Sequence, residues 1–68
     1  MKKQLKKKIE DYILENEGGV RAKWTDKDVL TTFGKNGEPI DDYIITIEDG
    51  DAYYSPVSMD CKVTLLVG

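Results

Sequence analysis

The sequence predicts an α+β domain: one N-terminal helix packed on a small, mostly antiparallel β-meander of four or five strands. Three observations carry this. Apolar residues recur at helical spacing from Met1 to Ile13 within a segment read as helix over 1–17. From Val20 onward the period changes to two. Asp49-Gly50, the dipeptide that a two-residue type I′ turn demands, then sits between two strand-like runs. Residues 1–68 are read as one small domain, with the helix over 1–17 and strands and turns over 20–67, because independent domains rarely fall below about 50 residues. So short a chain buries only about 60% of the surface its unfolded form exposes, and its core is correspondingly small.

In the helix, Met1, Leu5, Ile9, Tyr12 and Ile13 form one stripe, with Leu14 off it. Gly18-Gly19 is a stop, since glycine takes the left-handed conformation that closes a helix. The charges run against the dipole: lysines crowd the start, and Glu15 and Glu17 the end, at about 0.3–1 kcal/mol per charge. Packing must hold such a helix. Next, Val20, Ala22 and Trp24 alternate with Arg21 and Lys23, and Val29, Thr31 and Phe33 alternate with Leu30 and Thr32. A turn over Thr25–Asp28 makes the facing pairs Trp24/Val29, Ala22/Thr31 and Val20/Phe33, leaving Leu30 and Thr32 on the other face with Arg21 and Lys23. The rival, a short helix capped at Thr25 with Asp28, is disfavoured by β-branched Val29, Thr31 and Thr32. Residues 34–39 read as a loop, with Pro39 ending the ladder. Centring the next turn on Asp49-Gly50 pairs Ile47 with Ala52, Ile45 with Tyr54 and Tyr43 with Pro56 as a core face. Ile44, Thr46, Glu48, Asp51, Tyr53 and Ser55 take the opposite face. Cys61, Val63, Leu65 and Val67 then alternate inward, with Lys62, Thr64 and Leu66 outward.

Composition narrows the function. The net charge of −3 hides an asymmetry: residues 1–8 carry five lysines and no acid, while residues 9–68 carry five basic and thirteen acidic groups, a net of −8. With no histidine, the usual general base and the commonest metal ligand are both missing. The lone Cys61 makes no internal disulfide, which favours a reducing, cytoplasmic setting. No apolar run is long enough to span a bilayer, and the lysine-rich start lacks the apolar stretch of a signal peptide. Acidic pairs exist in Asp41-Asp42 and in Glu48 with Asp51, but a sheet of this size leaves little room for a water-excluding pocket, so the expectation is a protein that is not an enzyme. Cys61 reads as a small buried thiol. Glu48, Asp49 and Asp51 offer hard oxygen ligands, but the order of a calcium loop is absent, so no metal and no cofactor is expected.

Binding is what remains. Glu38, Asp41, Asp42, Glu48, Asp49, Asp51 and Asp60 all fall in predicted turns or loops of the C-terminal half, where several can form one negative patch. With an outward Tyr53, such a patch suits a basic protein surface: the acids steer the encounter and the aromatic anchors it. The expected protein-binding residues are therefore Asp41, Asp42, Glu48, Asp49, Asp51 and Tyr53. The partner is a protein with a basic surface, such as a nucleic-acid enzyme that the patch inhibits by imitating nucleic-acid charge, in the manner of small viral or mobile-element inhibitors. The alternative is a nucleic-acid-binding accessory protein, with Lys2, Lys3, Lys6, Lys7 and Lys8 on phosphates. A structural homo-oligomer, a homodimer in the simplest case, is the third, through a sheet edge or an apolar patch of Leu30, Ile44 and Leu66.

Overall fold

The computed structural model describes residues 2–59 and 61–65. One helix, α1 (Lys3–Glu17), packs on a five-stranded antiparallel sheet. Its strands are β1 (Arg21–Asp26), β2 (Val29–Phe33), β3 (Pro39–Glu48), β4 (Asp51–Pro56) and β5 (Val63–Leu65), in spatial order β1-β2-β3-β4-β5. This is the expected α+β meander. Met1, Asp60, Leu66 and Val67, which the sequence reading assigned to the helix stripe, an acidic loop and the last strand, lie outside the described residues.

α1 buries Ile9 and Ile13 completely, with Leu5 and Tyr12 packed alongside. No side chain caps its start, its first turn has no acid and its last turn no base, so burial of that stripe is what holds it. Gly18 closes it at φ +93°. Two of its glutamates, Glu17 at the unfavourable end and Glu10 in mid-helix, accept hydrogen bonds from the sheet. Tyr54 donates its hydroxyl to Glu17 Oε2 at 2.6 Å, and Trp24 donates Nε1–H to Glu10 Oε2 at 2.9 Å. Both bonds tie the helix to the sheet. The core beneath it comprises Ile9, Ile13, Leu30, Tyr43, Ile45, Ala52, Tyr54 and Leu65.

The β3–β4 hairpin has the register read from the sequence: Tyr43 faces Pro56, Ile45 faces Tyr54, and Ile47 faces Ala52. Asp49 at φ +52° and Gly50 at φ +83° supply the two left-handed residues of the turn. Pro39, opposite Phe33, is the first residue of its strand, where its missing N–H costs nothing.

Three expectations are corrected. Trp24 faces Leu30 rather than Val29, Ala22 faces Thr32, and Arg21 faces Phe33. The turn is the two residues Lys27-Asp28, with an irregularity at Thr25 between Trp24 and Asp26. Leu30 and Thr32 are therefore fully buried under the helix, while Phe33 and Val29 fall on the open face and Val20 stands exposed before β1. Leu30 thus drops out of the outward patch expected with Ile44 and Leu66. Cys61 is exposed, not inward, because the chain leaves the ladder after Pro56 and rejoins it only at Val63. Ile47 is 48% exposed although it lies on the helix side opposite buried Ala52, because β2 pairing stops at Ile44 and leaves Ile47 without a flanking strand on that side among the described residues.

Candidate binding surface

The acids expected to form one patch fall into two groups. Asp41 and Asp42 are neighbours on β3 and therefore point to opposite faces. On the open face, Asp42 Oδ1 accepts from the Thr31 hydroxyl at 2.5 Å, and Thr31 lies 2.9 Å from the Thr25 hydroxyl. On the helix side, Asp41 Oδ2 accepts from Ser58 at 2.5 Å, and its Oδ1 from the Asp42 amide at 2.8 Å. These two carboxylates serve as acceptors that tie β1, β2, β3 and the turn after β4 together. Glu38 is similarly engaged, accepting from the Asn36 amide at 3.0 Å within the β2–β3 loop.

Glu48, Asp49 and Asp51 stand at the other end of β3, six residues from Asp42 and so about 20 Å away along the strand. Glu48 faces Asp51 directly, with Asp49 in the turn between them, and all three are exposed. Like charges facing across a ladder oppose the fold. Lys62 relieves part of this: its ammonium lies 2.8 Å from Glu48 Oε1 and 4.7 Å from the centre of the Tyr53 ring. Tyr53 is on the open face as expected, half-buried between Thr46 and Thr64. The same end carries Asp26 and Asp28 at the β1–β2 turn, with Lys27 between them.

A notch completes this end. β2 begins at Val29, opposite Ile44, and its preceding residue Asp28 accepts a hydrogen bond from the Ile45 amide at 2.8 Å. Beyond that point β3 continues to Glu48 with no neighbour on the β2 side among the described residues. The step is an open recess of about 490 Å³ lined by Lys27, Asp28, Ile44, Ile45, Thr46 and Ile47. Ile44 is 46% exposed on one side of the strand and Ile47 48% on the other. Sequence reasoning placed Ile47 in the core and missed the notch. The available signal was the length of β3, ten residues beside a five-residue β2.

The basic groups occupy a different region. Lys2, Lys3, Lys7 and Lys8 are exposed along the start of α1, with Lys7 3.2 Å from Asp11. Lys6 is half-buried with its ammonium 5.2 Å from the centre of the Trp24 ring. At the free edge of β1, a groove of about 370 Å³ is lined by Arg21, Ala22, Lys23, Phe33 and Gly37. Among the described residues no group of three or more carboxylates or thiols is placed to hold a metal ion, and no helix is long and apolar enough to cross a membrane. Burial raises the Tyr43 and Tyr54 hydroxyls above the ordinary tyrosine range, and for Tyr54 the bond to Glu17 adds to the effect. Both are core groups rather than site chemistry. No family model matches the chain, and no curated protein or solved structure does either.

Proposed function

We propose that this is a small non-catalytic binding protein that engages a basic surface of a partner protein with the acidic end of its β3–β4 hairpin. The observation that carries the reading is the exposed Glu48–Asp51 facing pair, set beside uncovered Ile44 and Ile47. A basic partner relieves the repulsion that the isolated fold bears, and the isoleucines supply apolar anchoring that charge alone lacks. Asp41 and Asp42, occupied as hydrogen-bond acceptors, drop out of the contact; Tyr53 stays at its margin through Lys62. A nucleic-acid enzyme inhibited by charge imitation is the partner class that fits a compact acidic projection, in a cytoplasmic setting that suits the single thiol.

The test compares what the tagged protein retains from a nuclease-treated lysate of its source cell with what an Asp49→Asn/Asp51→Lys variant retains. Asparagine preserves the left-handed turn position, so the variant keeps its hairpin. A protein captured by the parent and lost by the variant supports the reading; identical capture sinks it. The second reading, nucleic-acid binding by the start of α1, draws on the exposed Lys2, Lys3, Lys7 and Lys8 and on the Arg21, Lys23 and Phe33 groove. Recovery that needs intact nucleic acid, and that vanishes when these lysines are neutralised, would replace the first reading with it.

A further inference from the structure

The notch assigns a more specific role to β3, one that rests on the acidic hairpin end being the binding surface. Main-chain groups of an antiparallel strand point alternately to its two neighbours. The Ile45 amide donates toward β2, to Asp28, so the N–H and C=O of Ile47 point the same way. Thr46 and Glu48 direct theirs to Tyr53 and Asp51 in β4. Ile47 therefore presents one donor and one acceptor on a free strand edge, with no described residue opposite them.

We propose that this edge takes an extended segment of the partner as a short added strand, and that the segment alternates basic with apolar side chains. The alternation follows from the pleat. A residue set opposite Ile47 projects to the helix side, where Ile47 is uncovered, and its apolar side chain is buried against that isoleucine. Its neighbours in the added strand project to the open face, where Glu48 and Asp51 stand. Cationic side chains there meet carboxylates on both strands of the hairpin, and the turn acids Asp26 and Asp28 extend the negative field across the notch. Main-chain pairing gives such a contact its affinity, and the alternate side chains give it its selectivity. The free edge is short, so the expected binding is weak for a single peptide and stronger where the partner also meets Ile44.

The probe is the peptide acetyl-Lys-Val-Lys-Val-Lys-amide, added to the full chain and followed through its backbone amide resonances. Three companions accompany it: the peptide with both valines N-methylated, the peptide with glutamate for lysine, and the Ile47→Pro protein. Proline removes a donor that the fold itself leaves unused, and proline is accepted where a strand's N–H faces outward. The lysine peptide should slow hydrogen exchange of the Ile47 amide, and N-methylation or Ile47→Pro should each weaken binding about tenfold. The glutamate peptide should not bind. If N-methylation and Ile47→Pro leave the affinity unchanged, strand addition is overturned while the acidic hairpin end stands as a charge-steered contact. Equal binding of the glutamate peptide, or no binding of the lysine peptide at millimolar concentration, overturns the proposal as well. The lysate comparison reports on the broader reading independently. If Ile47→Pro does not fold, the N-methylated peptide decides the question on the parent protein.

Discussion

Replacing Asp51 with lysine should stabilise the fold and weaken partner binding at the same time. Asp51 and Glu48 are a facing cross-strand pair, for which Cβ atoms lie about 4.5–5.5 Å apart. Two carboxylates about 6 Å apart in water repel by roughly 0.7 kcal/mol before screening. A Debye length of about 8 Å at physiological salt roughly halves this. Reversing one sign turns the repulsion into an attraction of similar size, but Lys62 already offsets part of the original cost. A net gain of about 0.5 kcal/mol remains, within the range known for cross-strand charge pairs. For a domain of this size that corresponds to a rise in Tm of about 2–4 °C. Thermal melts followed by circular dichroism should show the rise at low salt and lose most of it at about 1 M salt, where the Debye length falls to about 3 Å. A Tm that is unchanged or lower at low salt would refute the electrostatic account. So would a gain that persists at high salt. If stability rises while capture of the partner is undiminished, the acidic pair is a solubilising feature and the proposed function fails with it.

Other outcomes follow from the same geometry. Ile13→Ala should cost about 2–5 kcal/mol, a large share of the ~3–10 kcal/mol expected for a 68-residue domain; urea titration checks it, and a loss below about 1 kcal/mol would mean that α1 is held by something other than its buried stripe. Alkaline stability depends on Tyr43 and Tyr54, whose folded pKa values lie above the ordinary value of 10.0. The folded state then holds their protons more tightly than the unfolded state does. Their contribution is complete below pH ~10 and falls as pH rises beyond it, by up to ~1.4 kcal/mol per pH unit for each tyrosine; denaturation midpoints of the parent and of Tyr54→Phe from neutral pH to above pH ~10 should converge as that contribution is lost. Gly50→Ala places a side chain at φ +83° and should lower stability by about 1–2 kcal/mol, measured by the same titration.

The fold was legible where local chemistry and periodicity agreed. Asp49-Gly50 fixed the β3–β4 turn, and with the turn fixed every facing pair of that hairpin followed. The helix stripe and its glycine stop were equally direct. The β1–β2 hairpin was misread by one residue because the stronger pattern in β2 is the misleading one. Val29, Thr31 and Phe33 look like a better inward face than Leu30 and Thr32. What overrides it is long-range. Trp24 and Ala22 face α1, with Trp24 bonded to Glu10, and the irregularity at Thr25 shifts β2 by one position, which exchanges its faces. Phe33 is left on the open face beside Arg21 as a consequence. For the proposed binding surface, the sequence singled out the acids of the turn and grouped them with Asp41 and Asp42, which the fold sets apart. Turn composition gives residue types, not their distance along a strand or the partners that occupy their oxygens. The uncovered state of Ile47 depends on where β2 stops beside β3, and no local pattern around Ile47 reports that.

The choice between a solubilising surface and a binding surface turns on what accompanies the charge. Acids that serve only solubility do so from any exposed position, without facing another carboxylate and without neighbouring exposed isoleucines. Here Glu48 and Asp51 oppose each other at the end of a strand that outruns its neighbour, and Ile44 and Ile47 are both about half exposed beside them. Each feature alone weakens a small fold: the repulsion costs stability, the isoleucines forgo burial, and the free edge invites pairing with other chains. A fold with so small a core tolerates few such features, and departures from local consistency gather where a protein performs its function. A basic, extended partner segment answers all three at once, because it supplies the missing counter-charge, covers Ile47 and pairs the edge. That shared remedy is the reason to place the function at this end of the sheet rather than in the acidic composition at large.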